Sequence, residues 1–75
     1  MEKEIAQALN RNNYCYVEVG PHGDIRSWDE FCSPGSSFEL APGCEGIELT
    51  PRDRRWTAAS VLAAVENIRA ARAVA

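Results

Sequence analysis

The 75-residue chain lacks a long hydrophobic run, and its longest apolar stretch is far shorter than the roughly 20 residues that span a bilayer. No charged-then-apolar leader opens the chain, so neither a signal peptide nor a membrane anchor is predicted. The three cysteines are an odd set without a CxxC pair, whereas secreted mini-proteins usually carry an even disulfide framework. We therefore expect a cytoplasmic protein with reduced thiols.

Residues that carry catalysis or hold cofactors are also scarce. The single histidine, His22, lies between a proline and a glycine in a predicted turn, which offers neither a pocket nor a positioned neighbour for a general base. Cys15, Cys32 and Cys44 lack the closely spaced pair that structural zinc sites use, and the glycines form no phosphate-binding pattern. A non-enzymatic protein without metal or cofactor is predicted. A small enzyme or zinc protein built on His22 and the cysteines stays as an alternative.

Charge is unevenly distributed along the chain. The net charge is −3 and the sequence pI is about 5.0. Residues 1–50 contain nine acids and three bases, whereas residues 51–75 contain five arginines and two acids. A domain with an acidic pI lacks the electrostatic footprint of a nucleic-acid binder, so no direct nucleic-acid binding is expected.

The first predicted elements are a short helix and a hairpin. Residues 2–11 place Ile5, Ala8 and Leu9 on one helical stripe, and the two asparagines that follow favour a helix end. In "YCYVEVGPHGDIRSW", residues 14–28, alternation predicts two strands joined by the loop 20–24, whose two glycines supply positive φ. The predicted register pairs residues whose numbers sum to 44: Val19 with Ile25, Glu18 with Arg26, Val17 with Ser27 and Tyr16 with Trp28.

The second half of the chain predicts two short strands and a long helix. "FEL" at 38–40 and "IEL" at 47–49 alternate apolar and acidic residues and predict strands, with an irregular segment as the alternative for the first. Thr50 with Asp53 is a capping-box variant that predicts a helix from Pro51 to about residue 73. Thr57 and Ser60 form a possible second cap, so a break near residue 56 is an alternative. The apolar stripe of this helix contains Ala58, Val61, Leu62, Val65 and Ile68.

These elements predict one α+β domain covering residues 1–75. A small antiparallel sheet of three to four strands packs its inner face against the long C-terminal helix, and the short N-terminal helix lies at an edge or end.

The other face of the sheet is the candidate partner-binding surface. Its predicted members are Tyr14, Tyr16, Glu18, Trp28, Glu39 and Glu48, with Asp24, Asp29 and Glu30 in adjoining loops. Carboxylates spaced along a flat face imitate phosphates and suit an Arg/Lys-lined groove, while Tyr and Trp are enriched at binding hot spots. The alternative is that the aromatic residues pack within the domain and the acids only solubilise it.

The chain resembles the small anti-CRISPR proteins that phages and mobile elements encode against host defences. The likeness is one of type, namely a compact, acidic α+β domain without an enzymatic signature, and no motif is shared. The tail "AASVLAAVENIRAARAVA" suggests a GC-rich bacterial genome. The resemblance implies a stoichiometric inhibitor that acts in the bacterial host cytoplasm by binding a Cas effector subunit and blocking DNA recognition or nuclease recruitment.

A second hypothesis is a homo-oligomeric adaptor or a small transcriptional regulator that uses the arginine-bearing C-terminal helix. Its candidate contacts are Arg52, Arg54, Arg55, Arg69 and Arg72. A homodimer is also possible under the first hypothesis, because an unpaired edge strand and exposed aromatic residues are both stabilised by a partner.

Overall fold

The computed structural model describes residues 1–31, 39–52 and 55–74. The elements are α1 (Glu2–Asn10), β1 (Tyr14–Val19), β2 (Ile25–Phe31), β3 (Glu45–Leu49) and α2 (Ala58–Val74). The three strands form one antiparallel sheet in the order β2-β1-β3. The α+β prediction is confirmed, with three strands among the described residues.

Both helices cover the same face of the sheet. Ile5 of α1, Val17 of β1, Ile47 of β3 and Val61 of α2 are buried in one apolar cluster. The first helix packs on β1 and β2 and against α2, while α2 contacts β3. The N-terminal helix was predicted at an edge or end of the sheet, whereas it packs on the face formed by β1 and β2. Its apolar stripe is fully buried, and burying it requires a place over the sheet.

The first helix ends where its asparagines predict. Arg11 is the C-cap, and Asn12 adopts a left-handed backbone with φ of 68°. Asparagine tolerates this conformation better than most residues. The chain thereby reverses and enters the sheet at Tyr14.

The hairpin loop and its first predicted pair, Val19 with Ile25, are confirmed, but the rest of the predicted register is wrong. Val19 pairs with Ile25 across the loop 20–24, in which only Gly23 has positive φ. A β-bulge then leaves Arg26 without a cross-strand partner, so Glu18 pairs with Ser27 and Val17 with Trp28. Trp28 packs against the core instead of standing beside Tyr16 on the outer face.

Packing energy explains this register. A half-buried indole contributes on the order of 1–2 kcal/mol, whereas the predicted cross-strand pair of Glu18 with Arg26 is worth roughly 0.2–1 kcal/mol. The bulge turns Trp28 toward the core at the cost of that surface pair.

Of the two predicted acidic strands, only the second forms. β3 contains Ile47 and Leu49, both buried, with Glu48 exposed between them. Glu39 and Leu40 lie outside any strand, and Leu40 is exposed rather than inward-facing. Phe38 lies outside the described residues.

The long helix begins at the alternative cap. Residues 50–52 and 55–57 are not helical, so the predicted start at Pro51 was wrong, and Asp53 lies outside the described residues. Thr57 Oγ1 accepts a hydrogen bond from the Ser60 N–H at 3.1 Å, and Ser60 Oγ accepts one from the Thr57 N–H at 2.8 Å. This reciprocal capping box satisfies two backbone donors at the helix start.

The predicted apolar stripe of α2 is partly confirmed. Val61 and Val65 are buried, and Ile68 packs against the core. Leu62 and Ala58 are exposed. Because α2 begins at residue 58 and shares the sheet with α1, only one narrow side of it faces inward.

Candidate functional site

A row of acid, tyrosine and acid crosses the outer face of the sheet. Tyr16 lies in the central strand and pairs with Asp29 of β2 on one side and Glu48 of β3 on the other. Both acids are exposed and Tyr16 is partly exposed. Adjacent strands are 4.7–4.9 Å apart, so the two acidic positions are roughly 10 Å apart. We call Asp29, Tyr16 and Glu48 the acidic row.

Tyr16 is held in place by the absence of a side chain at Gly46. A Cβ at Gly46 would overlap the Tyr16 hydroxyl and lie 2.5 Å from the ring carbon that bears it. The hydroxyl end of the ring therefore packs on the backbone of β3 at Gly46, an arrangement that covers an otherwise unprotected glycine in a strand. Tyr14 stands on the same face, two residues before Tyr16 in β1, and is partly exposed.

Glu18 belongs to this face but is not available to a partner. Its side chain is 8% exposed, and its carboxylate accepts hydrogen bonds from Ser27 Oγ at 2.8 Å and from the Ala41 N–H at 2.7 Å. These two bonds, led by the Ala41 amide and aided by the Arg26 charge, lower the pKa of Glu18 despite its burial. Glu18 anchors the segment before β3 to the sheet.

That anchored segment forms a turn over the bulge end of the outer face. The Cys44 N–H donates to the Ala41 carbonyl at 3.1 Å, with a Pro-Gly pair between them. Arg26, the bulged residue, donates to Asp24 at 3.3 Å and lies 3.8 Å from Cys44 Sγ. One end of the outer face is therefore covered by the chain itself, and the acidic row marks the open part.

The other predicted members of the face are dispersed. Glu30 accepts hydrogen bonds from Arg11 and Asn13, both at 2.7 Å, and so joins β2 to the end of α1. Asp24 is exposed but paired with Arg26. Glu39 is exposed outside the strands. With Trp28 turned to the core, only Tyr14, Tyr16, Asp29 and Glu48 of the nine predicted residues share the open part.

Two of the arginines proposed for nucleic-acid contact are engaged within the domain. Glu45 accepts hydrogen bonds from Arg69 at 2.7 Å and Arg72 at 2.9 Å, and Arg72 also donates to the Gly46 carbonyl. The pair of guanidinium groups, Arg69 first, lowers the pKa of Glu45. Arg52 and Arg55 are exposed, and Arg54 lies outside the described residues.

Cys15 is an unreactive thiol, and the described residues contain no metal-binding group. Cys15 is buried in the core, and burial, reinforced by the nearby Glu30 charge, raises its pKa to about 11. Such a thiol is protonated at neutral pH and behaves as a small apolar side chain. Within residues 1–31, 39–52 and 55–74, no three His, Cys, Asp or Glu side chains are grouped to hold a metal ion. Cys32 lies outside these ranges.

A second concave feature was not predicted from the sequence. An open groove of about 260 Å³ runs between β3 and α2. It is lined by Glu48, Leu49, Thr50, Arg52, Trp56, Ala64, Asn67 and Ile68. The one feature of the sequence that could have indicated the groove is Trp56, just before the cap of α2. Because α2 starts at residue 58 rather than 51, Trp56 lies outside the helix and lines the groove.

Among the described residues, no helix is long and apolar enough to cross a membrane. Comparisons with protein-family models, with curated proteins and with solved structures found no match for this chain.

Proposed function

We propose that this chain is a non-enzymatic protein-binding domain that uses the acidic row to occupy a basic surface of its partner. The observation that carries the proposal is the exposure of Asp29 and Glu48 on either side of Tyr16, in a part of the sheet that the turn at Ala41 leaves open.

The row combines the two ingredients of a compact interface. Two carboxylates on a rigid sheet supply charge complementarity, which raises the association rate and selects basic partners. A tyrosine fixed between them supplies rigid amphipathic area of the kind found at hot spots. Each exposed ion pair contributes only about 0–1 kcal/mol, so Tyr16 and its surroundings would supply most of the affinity.

The specific partner we propose is a bacterial CRISPR–Cas effector complex, which the chain would inhibit stoichiometrically by covering a DNA-binding or nuclease-recruiting surface. Acidic positions roughly 10 Å apart on a flat face suit a groove lined by Lys and Arg. This step rests on the resemblance in type to anti-CRISPR proteins and on the acidic composition of residues 1–50.

The test is a pull-down of tagged protein from bacterial lysates that carry CRISPR–Cas systems, followed by mass spectrometry and by measured affinity for any captured Cas subunit. The double variant Asp29→Lys/Glu48→Lys should weaken that binding at least about tenfold. Glu4→Lys/Glu66→Lys is the matched control, since it changes the net charge equally on the exposed sides of the helices. Equal losses in both would contradict a role for the acidic row, and the absence of any Cas subunit would contradict the specific partner.

The exposed side of α2 supports the second hypothesis in its oligomeric form. Leu62 is 42% exposed and Val74 is 87% exposed, and the exposed positions between them include Ala63, Ala70 and Ala71. Apolar exposure along one helix is typical of a protein–protein contact. Sedimentation equilibrium of the wild type and of Leu62→Glu tests it: a dimer that the substitution dissociates favours the adaptor, and a monomeric wild type contradicts it.

A further inference from the structure

The groove between β3 and α2 lies beside an edge strand. β3 is the last strand of the sheet, and no described strand pairs with its outer edge, where the Gly46 carbonyl near its start accepts a hydrogen bond from Arg72. We propose that this groove binds an extended peptide segment of a partner protein, which adds a fourth strand to β3. The peptide carries a basic residue between two apolar ones.

The strand edge determines that the ligand is extended. Alternate residues of an edge strand direct N–H and C=O groups outward, and an added strand is the ligand that satisfies them in sequence. α2 runs alongside and forms the second wall of the groove through Ala64, Asn67 and Ile68. A strand and a helix thus flank the position that the peptide occupies.

The alternation of β3 determines the side chains of the ligand. Ile47 and Leu49 point to the core side, whereas Glu48 points to the outer face. A ligand residue opposite Glu48 also points outward, where a Lys or Arg forms a favourable cross-strand pair. Its two neighbours point into the groove, where Leu49 and Trp56 provide an apolar floor. The preferred ligand therefore alternates apolar, basic and apolar residues.

Size and charge argue against other occupants. The volume of about 260 Å³ lies below the range of about 300–1000 Å³ typical of small-molecule pockets, but it accommodates individual side chains. A second copy paired through β3 would bring two Glu48 carboxylates onto one acidic face, and each copy carries a net charge of −3. Like charges close together across strands are destabilising, so a basic segment is preferred to the chain itself.

The test uses an acetylated, amidated heptapeptide of alternating valine and lysine, titrated into isotopically labelled protein and followed by amide chemical shifts. The expected shifts are concentrated in β3 and in residues 64–68 of α2, and they are absent from the outer edge of β2. The same peptide with glutamate in place of lysine should bind at least about tenfold more weakly. Shifts centred on β2, or no shift with millimolar peptide, would overturn the proposal.

Two alanines of α2 provide matched variants. Ala64→Arg fills the groove, while Ala59→Arg adds the same side chain at an exposed position of the same helix. The first should abolish peptide binding and the second should leave it within about twofold. If Ala64→Arg alters the thermal unfolding of the protein, Asn67→Arg at the exposed rim replaces it. Binding that survives in both groove variants would overturn the proposal.

The groove and the acidic row are tested separately. Asp29→Lys changes the row without touching the groove, and Ala64→Arg does the reverse. Chemical shifts that depend on protein concentration without peptide would assign the β3 edge to self-association and would also overturn the proposal.

Discussion

The side-chain amide of Asn10 holds the segment before α2 in place. Its Nδ2 donates to the Trp56 carbonyl at 3.0 Å and its Oδ1 accepts from the Trp56 N–H at 2.7 Å. These two bonds reproduce the pairing that a neighbouring strand would give to Trp56, which is otherwise buried in an irregular segment. We predict that Asn10→Ala destabilises the domain and loosens the floor of the groove.

The expected magnitude follows from the two bonds. Each contributes about 0.5–1.5 kcal/mol net, or about 1–3 kcal/mol together. Alanine is the better helix former, so its propensity stabilises this last position of α1 by at most about 0.7 kcal/mol. A net loss of about 0.3–2.3 kcal/mol remains. For a domain of this size that lowers the melting temperature by roughly 1–18 °C. The upper value is a large fraction of the total stability of a small domain, which lies near the lower end of about 5–15 kcal/mol.

The assay is urea unfolding followed by tryptophan fluorescence, with Gln7→Ala as the matched control. Gln7 is exposed on the same helix, so its truncation should be neutral or slightly stabilising. Equal stability of Asn10→Ala and Gln7→Ala would refute the assignment of Asn10 as the positioning residue for Trp56. In the peptide titration described above, Asn10→Ala should also weaken binding.

Three other predictions follow from single residues. Thr57→Ala should lower the free energy of unfolding in urea by about 0.5–2 kcal/mol because it removes the observed cap. Thr50→Ala should lower it less, because no helix begins there. A larger loss for Thr50→Ala would indicate that the helix starts at Pro51. Cys15 should be alkylated by iodoacetamide at pH 8 only on unfolding, because it is buried and its pKa is about 11. The partly exposed Cys44 should react in the folded state. Rapid labelling of Cys15 in the folded protein, located by mass spectrometry, would contradict its burial. The lowered pKa of Glu45 means that its contribution to stability is complete above its ordinary pKa of 4.5 and is lost as pH falls below that value. Glu45→Gln should therefore flatten the acid side of the stability profile, and an unchanged profile would show that Arg69 and Arg72 do not stabilise the carboxylate.

Local patterns in the sequence predicted the elements whose causes are local. The asparagine that ends α1, the five-residue hairpin loop and the alternation of β3 all act within a few residues. The two candidate caps of α2 were both visible, but choosing between Thr50 and Thr57 required tertiary information. Asn10 pairs with Trp56 from 46 positions away, and that pairing holds residue 56 in a non-helical segment.

Glu18 shows why the candidate surface could not be read from alternation alone. Its position in β1 correctly places it on the outer face, yet its carboxylate is bonded to an amide 23 positions away and is nearly buried. Alternation reports which side of a strand a residue is on, but it carries no information about which loop crosses that side. Counting every outer-face acid as available therefore overestimated the surface.

The β-bulge at Arg26 has the largest consequence for the proposed function. Without the bulge, with Arg26 paired to Glu18, Trp28 would lie opposite Tyr16 and the outer face would present an aromatic pair. With the bulge, Trp28 joins the core and Asp29 takes the place beside Tyr16, so leaving Arg26 unpaired adds core packing and an exposed acid together. The alternation of the sequence predicted the aromatic pair because it assumes that every residue of a strand is paired. The acidic row is thus a product of the bulge, because a register that paired Arg26 with Glu18 would turn Trp28 outward and Asp29 to the core side. Deletion of Arg26 should instead keep Trp28 opposite Val17 and Asp29 opposite Tyr16, since the unpaired residue is the one removed.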